Sequence, residues 1–333
     1  MATATDLSLL QETAIRIQKD LKLLPYAVLR EELGRLGITL FPGVQNKDVM
    51  THYLRKQGIA KPYIQGSVVN SELGKAIEST LEVMAAYASV KDNIQNYKKV
   101  SVGPDVLLGK NKSKKHPWNI IMLTSIVKTF TEDVLDALFP AEHDAAGTTP
   151  LDLFDGFDTL IDAFIASGEI ASGEGNLVAT GAIDSSNAFT SLLAFWRSAN
   201  PLLKKANTVL QVPYNISEAY DDAFFTKFTN KPTIDGYNRT FLEGSAKKCL
   251  IVPSTALGTG NRIILTALGN MDFGMDSEGD DQFVQVRDPY EDPNEKQFWI
   301  QSKYGCRIRT VHKKIFQIND GTPVATQLSG DYS

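Results

Sequence analysis

Asn270-Met-Asp-Phe-Gly-Met-Asp-Ser-Glu-Gly-Asp-Asp281 sets four aspartates and one glutamate in twelve residues, with Asp272-Phe273-Gly274 near its start. Three readings compete for it: a calcium loop, a kinase fragment, or an acidic connection between strands. A calcium loop of the EF-hand kind alternates oxygen ligands, turns at a glycine and closes with a bidentate glutamate. Asp276, Glu278 and Asp280 alternate, but Asp281 stands where the glycine is needed and Arg287 where the closing glutamate belongs. A kinase would carry a His-Arg-Asp catalytic loop upstream and a glycine-rich strand-turn-strand with its lysine, and neither is present. What remains is a turn-rich connection joining two strands. On that reading Phe273 packs inward, Gly274 supplies an unusual φ, and the acids are solvated or face a neighbouring molecule.

The flanks agree. KKCLIV (247–252), RIILTAL (262–268), QFVQVR (282–287), QFWIQ (297–301) and GCRIRTVHKKIFQI (305–318) read as strands separated by Gly, Pro and Asp. Further upstream the pattern changes. Residues 6–37 predict a helix, because Leu7, Leu10, Ala14, Ile17, Leu21 and Leu24 recur at steps of three and four, followed by Leu29, Leu33 and Leu36 past Pro25. Residues 47–57 predict a short helix. LEVMAAYASV and YKKVSV are strand-like and lead to the basic loop Gly109–Lys115, so 86–116 reads as a long two-stranded excursion. Such a hairpin is marginal unless it lies on something else. His116-Pro-Trp-Asn119 opens the clearest helix, running to Phe139 and stopped by Pro140. Its stripe is Ile120, Leu123, Ile126, Val127, Phe130, Val134, Leu135 and Leu138. Beyond it come a helix after Phe154-Asp-Gly-Phe157 and a strand at 177–183. A helix capped by Ser185-Ser186, a strand before Pro213 and a helix capped by Ser217 follow. Helices and strands mix without strict βαβ repetition, which predicts the α+β class.

Composition bounds the function. The chain has 333 residues, 43% apolar and 22% charged, enough for a sizeable core. No apolar run is long enough to span a bilayer, and residues 1–20 lack the basic-then-apolar pattern of a secretory signal. Cys249 and Cys306 are too few for a disulfide framework and read as reduced, buried residues of a cytoplasmic protein. The net charge of −5 argues against a dedicated nucleic-acid binder. Its distribution is uneven. Residues 1–116 hold 17 Lys and Arg against 11 Asp and Glu, whereas 117–333 hold 17 against 28. Between Lys128 and Arg197 there are twelve acids and no Lys or Arg. These are either two solvated surfaces or complementary patches by which a basic segment of one copy docks on an acidic face of another.

No catalytic constellation emerges. Gly103–Asn111 misses the phosphate-cradling motif: five residues separate the glycines instead of four, Asn follows the Lys, and Pro104 removes a backbone N–H. His52, His116, His143 and His312 lie far apart, without ligand spacing. Asp152, Asp155, Asp158 and Asp162 form an acidic cluster, the last three on one helical face, read as solvated or intersubunit. No catalytic, cofactor or metal residue is expected.

The order of elements then carries a resemblance: a helical arm, a long basic two-stranded excursion, one long helix, an α/β region and a strand-rich end. The last includes Gly274-Met-Asp276 before an alternating strand and a strand-Gly305-strand unit. This order resembles the major capsid proteins of tailed double-stranded DNA bacteriophages, which share the Hong Kong ninety-seven capsid fold. The resemblance implies an N-terminal arm at 1–80, an E-loop at 81–116, and a spine helix with part of the peripheral domain at 117–150. It further implies an axial domain at 151–245 and a strand-rich part shared by both domains at 246–333. The implied function is a non-enzymatic virion protein. It would assemble in the cytoplasm of a bacterial host as hexamers and pentamers of an icosahedral shell around packaged DNA, without sequence-specific binding or any membrane. Scaffold, portal and head-decoration proteins are the further partners implied. On this reading Lys91, Lys98, Lys99, Lys110, Lys112, Lys114 and Lys115 meet the acidic 132–184 region of an adjacent subunit, where Asp152, Asp155, Asp158 and Asp162 lie. Two alternatives stand beside it: a nanocompartment shell enclosing cargo, and a phosphate- or nucleotide-binding enzyme using Gly103–Asn111.

Overall fold

The computed structural model describes residues 4–55, 62, 65, 74–93, 117–228, 240–276, 284–287 and 295–324. The expected helix at the N-terminus is α1, Ala4–Arg35, which runs through Pro25. Leu10, Ala14, Leu21, Leu29 and Leu33 are buried on it, as the spacing requires. It closes at Gly37, whose φ of +74° lets the Ile38 N–H turn back to the Leu33 carbonyl at 2.8 Å. Next come β1 (Thr39–Pro42) and β2 (Lys47–Arg55). The expected short helix at 47–57 is thus a strand. Its side chains alternate, with Asp48, Met50, His52 and Leu54 half-buried and Val49, Thr51 and Tyr53 exposed. A nine-residue antiparallel ladder to β3 (Gly74–Glu82) holds it, so tertiary pairing overrides the weak local preference. Segment 1–80, expected as a helical arm, therefore contains strands as well as α1.

Val83 separates β3 from β4 (Met84–Asn93), and the two strands belong to different sheets. The expected strand at 81–90 is present in these two pieces. Residues 94–116, with YKKVSV and the basic loop, lie outside the described residues. Helix α2 (Pro117–Asp136) follows and buries Leu123, Val127, Phe130 and Val134 on the expected stripe, together with Met122. Helix α3 (Phe157–Ala166) follows Gly156. The strand expected at 177–183 shrinks to β5 (Leu177–Val178). Beyond it the Thr180 and Ile183 N–H groups turn to the side chains of Asp320 and Asn261. Asn187, not a serine, stands at the N-cap of helix α4 (Ala188–Ser198), without a side-chain cap bond, and ahead of it Asp184 Oδ1 accepts from the N–H groups of Ser186 and Asn187. After α5 (Pro201–Lys205) and β6 (Thr208–Pro213), α6 (Tyr214–Phe228) begins ahead of Ser217, which is not its cap. The remainder is β7 (Thr240–Phe241), β8 (Cys249–Ser254), β9 (Ile264–Ala267), β10 (Met271–Met275), β11 (Val284–Arg287), β12 (Glu295–Ile308) and β13 (Phe316–Asn319).

Two sheets organise two cores. The five-stranded sheet runs β1-β10-β12-β11, with β4 along the other edge of β12, and α1, α2 and α3 pack with it over Phe154, Phe273, Phe298 and Tyr304. The six-stranded sheet runs β5-β13-β9-β6-β8-β7 and carries α4 and α6 over Phe189, Phe195, Trp196 and Tyr220. The Gln211 amide of central β6 donates to the Leu36 carbonyl at 2.8 Å, so the end of α1 is tied to the second sheet.

Asn270–Asp281, expected as an acidic connection between strands, is itself strand in its first half, and 277–281 lie outside the described residues. This strand is β10, every residue of which is buried. Asp272 is fully buried. It receives two guanidinium groups, Arg307 Nη2 at 2.7 Å and Arg309 Nη2 at 2.8 Å, each also donating through Nε. Arg307 reaches on to the Asp48 carboxylate at 3.1 Å, and both guanidiniums stand 5.5 Å from the Phe41 ring centroid. Gly274 has no positive φ. Its use is bareness: a Cβ there would come within 2.9 Å of Leu81 and 3.0 Å of Val83. Gly305 lies directly opposite it in the ladder, and a Cβ there would overlap the Glu82 carbonyl. Two facing glycines thus open the sheet where the β3–β4 bend crosses it. This is why β12 runs unbroken for 14 residues through the glycine that was expected to separate two strands.

Gly305→Ala is expected to destabilise the protein by about 3 kcal/mol or more, since the obstacle is backbone; thermal unfolding of the purified variant measures it. Asp272→Ala is expected to cost on the order of 3–5 kcal/mol, because two guanidiniums lose their shared counter-charge in the core. Wild-type stability in Asp272→Ala by urea titration would refute that role.

Candidate assembly surface

The acids expected to line an intersubunit face are engaged within the chain. Asp152 Oδ2 accepts from the Thr149 N–H at 2.8 Å and its hydroxyl at 2.7 Å, which hold its carboxyl below the usual range. Asp155 accepts from the His143 N–H. Asp158 and Asp162 both bind Arg262, at 3.3 and 2.7 Å, and Arg262 Nε donates to the Gly321 carbonyl. This pair links α3, in the first core, to the strand entry at Ile263, in the second. Asp162 keeps a half-exposed side chain, whereas Asp158 is buried. Burial pushes the Asp158 carboxyl up to about 6, an effect that Arg262 offsets only in part. Arg262 lies a hundred residues from its acids, so no local pattern announced the pairing.

The lysines divide as well. Lys91 is on β4, opposite Gln297 of β12 and exposed. Lys98, Lys99, Lys110, Lys112, Lys114 and Lys115 lie outside the described residues, as do the Gly103–Asn111 loop and His116. His143 donates Nδ1–H to the Leu153 carbonyl, and His312 Nδ1 accepts from the Lys314 N–H, so each ring has a structural role. Among the described residues no three His, Cys, Asp or Glu side chains gather as metal ligands, and no helix is long and apolar enough to cross a membrane. Cys249 and Cys306 are free and buried, and burial raises both thiols, Cys249 to about 12 and Cys306 well above its ordinary value.

Other acids of the 132–184 region, not singled out above, lie on α2. Glu132, Asp133 and Asp136 occupy the last turn of α2, where the helix dipole already places negative charge. Burial raises the Asp133 carboxyl first, and the charges of Asp136 and Glu132 raise it further; burial and Glu132 do the same to Asp136. No ion pair neutralises Asp133 among the described residues. Beside it lies an open groove of about 490 Å3 between β4 and the loop after α2. Its rim carries Tyr87, which is 63% exposed and stacked on Trp299 with centroids 5.2 Å apart. Exposed Val49 and Tyr53 mark the outer face of the β2–β3 ribbon. Exposed Tyr and Trp backed by a sheet are the residue types that anchor protein contacts.

The Arg262 pair has a pH consequence. Asp158 titrates near 6 when folded and near 3.8 when unfolded, so between these values the folded state holds the extra proton and stability falls as pH rises. Wild type is expected to lose about 2 kcal/mol relative to Asp158→Asn between pH 4 and pH 7. Parallel chemical denaturation at the two pH values measures this; equal pH slopes would contradict it.

No protein-family model matches the sequence, and no curated protein matches it. Solved structures do. A subunit of the satellite phage P4 procapsid that includes the size determination protein superposes with a TM-score of 0.56 at 12% identity, over 93% of this chain and 97% of that one. The capsid of the native GTA particle gives 0.51 at 12% identity over 86% and 88%. The cyanophage A-1(L) capsid gives 0.50 at 12% identity over 86% and 91%. At such low identity the shared property is the fold, and it extends over nearly the full length of both partners. The chain has the α+β fold of these phage capsid subunits, the Hong Kong ninety-seven capsid fold.

Proposed function

We propose that this chain is a structural shell subunit that self-associates, as hexamers and pentamers, into an icosahedral capsid enclosing double-stranded phage DNA. The observation that carries the reading is the end-to-end match to the procapsid subunit, covering 93% of this chain and 97% of that one. The physics is compatible. A closed shell uses heterologous contacts that close into rings, and a subunit with exposed residues such as Val49, Tyr53 and Tyr87 on its ribbon and sheet offers surface for such contacts. Its acidic balance suits a container for DNA, because phosphate binding calls for clustered Lys and Arg. The lysine-rich segment 91–115 supplies positive charge at the subunit boundary, meeting acids of the 132–184 region on the adjacent subunit; scaffold and portal proteins direct closure in the bacterial cytoplasm.

The test is negative-stain electron microscopy of the expressed protein alongside size-exclusion chromatography. Closed shells, or rings of five and six subunits, are expected. Monomers at every concentration, also with a capsid scaffold and portal co-expressed, would overturn the reading. Shells that reproducibly enclose a protein and no DNA would replace the genome container with a nanocompartment.

A further inference from the structure

The groove beside α2 is the part of the surface whose occupant the chain itself specifies. Tyr87 and Ser89 of β4, Phe130 and Asp133 of α2, and His143 and Asp144 of the following loop line it. The Tyr87 ring is braced by Trp299 at an interplanar angle of 11°, and Ser89 by a 2.7 Å hydrogen bond from Gln297 Nε2. A braced aromatic face lining the same groove as an unneutralised carboxylate suits an ammonium group, which gains from the ring quadrupole and from the charge. Asp144 and Asp152 add negative potential at the rim.

The matching charge is concentrated at one place in the chain. Lys110-Asn-Lys-Ser-Lys-Lys115 holds four lysines in six residues and no acid. For its last two lysines, chain length decides which copy supplies them. Asp133 lies sixteen positions beyond Pro117 on one helix, roughly 24 Å along the axis at about 1.5 Å per residue. Lys115 stands two residues before Pro117, so about 7 Å of extended backbone and one side chain bound its reach. Lys114 gains only one residue more. Neither spans the helix to the groove of its own chain.

We propose that Lys114 and Lys115 of a second copy dock in this groove, with an ammonium group between Tyr87 and Asp133. The contact rests on the self-association argued above and gives it a residue-level address. It is heterologous, since run and groove sit at opposite ends of α2, so it propagates from copy to copy around a ring. A single pair is weak and salt-sensitive, and repetition supplies the strength.

Isotope-mixed crosslinking tests it. Particles assembled from equal parts of unlabelled and 15N-labelled protein are treated with a zero-length carbodiimide, digested and read by mass spectrometry. Lys114 or Lys115 joined to Asp133 or Asp136 in mixed-isotope pairs is the expected result. Links confined to same-isotope pairs would assign the run to its own chain, and links only to other acids would remove the groove as its site; either overturns the proposal while leaving the shell reading intact. In parallel, Asp133→Lys is expected to raise the concentration needed for assembly about tenfold, with recovery when Lys114→Glu and Lys115→Glu are added. Asp133→Asn, whose fold circular dichroism verifies, is expected to show a smaller shift in the same direction. Unchanged assembly of Asp133→Lys and Asp133→Asn would overturn the docking. Failure of the wild type to associate at all would overturn the shell reading and this contact with it.

Discussion

A carboxylate with no exposure to water, shared by two guanidiniums, is the constraint around which the first core is built. Asp272 alone in that position would be prohibitively costly. Arg307 and Arg309 make it tolerable, and their geometry dictates much else. Both must leave the end of β12 toward β10, which fixes the register of those strands. Arg307 must also find Asp48, which brings the β2–β3 ribbon down onto the sheet. Phe41 of β1 lies against both guanidiniums. Such an arrangement specifies one packing more than it adds stability, since apolar residues of equal volume are often as good or better. It excludes alternatives, because any slip of one residue strands a charge.

The long elements were legible because their signals are local and redundant. The leucine spacing of α1 and the stripe of α2 each repeat over several turns, so no single residue has to be right. The strands at Cys249, Ile264, Val284 and Phe298 were bounded by turn residues on both sides. The ribbon strand β2 was misread for a physical reason: Val49 and Tyr53 face outward, so its apolar residues do not mark a buried face. Gly274 and Gly305 were noticed, but as turn-makers. Their real constraint, the crossing of Leu81–Val83, comes from far away in the chain and meets Gly274 with side chains and Gly305 with backbone.

The candidate surface was legible only in its gross charge. A stretch from Lys128 to Arg197 without a cation was plain in the sequence. Which of its acids stay uncompensated was not, because Arg262 reaches Asp158 and Asp162 from beyond that stretch, and Thr149 and a backbone N–H occupy Asp152 and Asp155. Once these are set aside, the densest group left is Glu132, Asp133 and Asp136 near the end of α2. A helix end that holds three acids against its own dipole carries a local cost, and such costs mark places where something other than folding has been favoured.

The two thiols have a practical consequence. Cys249 and Cys306 are the chain's complete complement of cysteine, and burial leaves almost no thiolate on either at neutral pH. The wild-type protein is therefore expected to react slowly with maleimides and in disulfide exchange without any cysteine having to be removed. A single cysteine placed at an exposed position such as Tyr53 would be the one reactive sulfur per subunit, open to fluorophores, spin labels or tethered cargo. Its spacing would be set by whatever symmetry the subunits adopt.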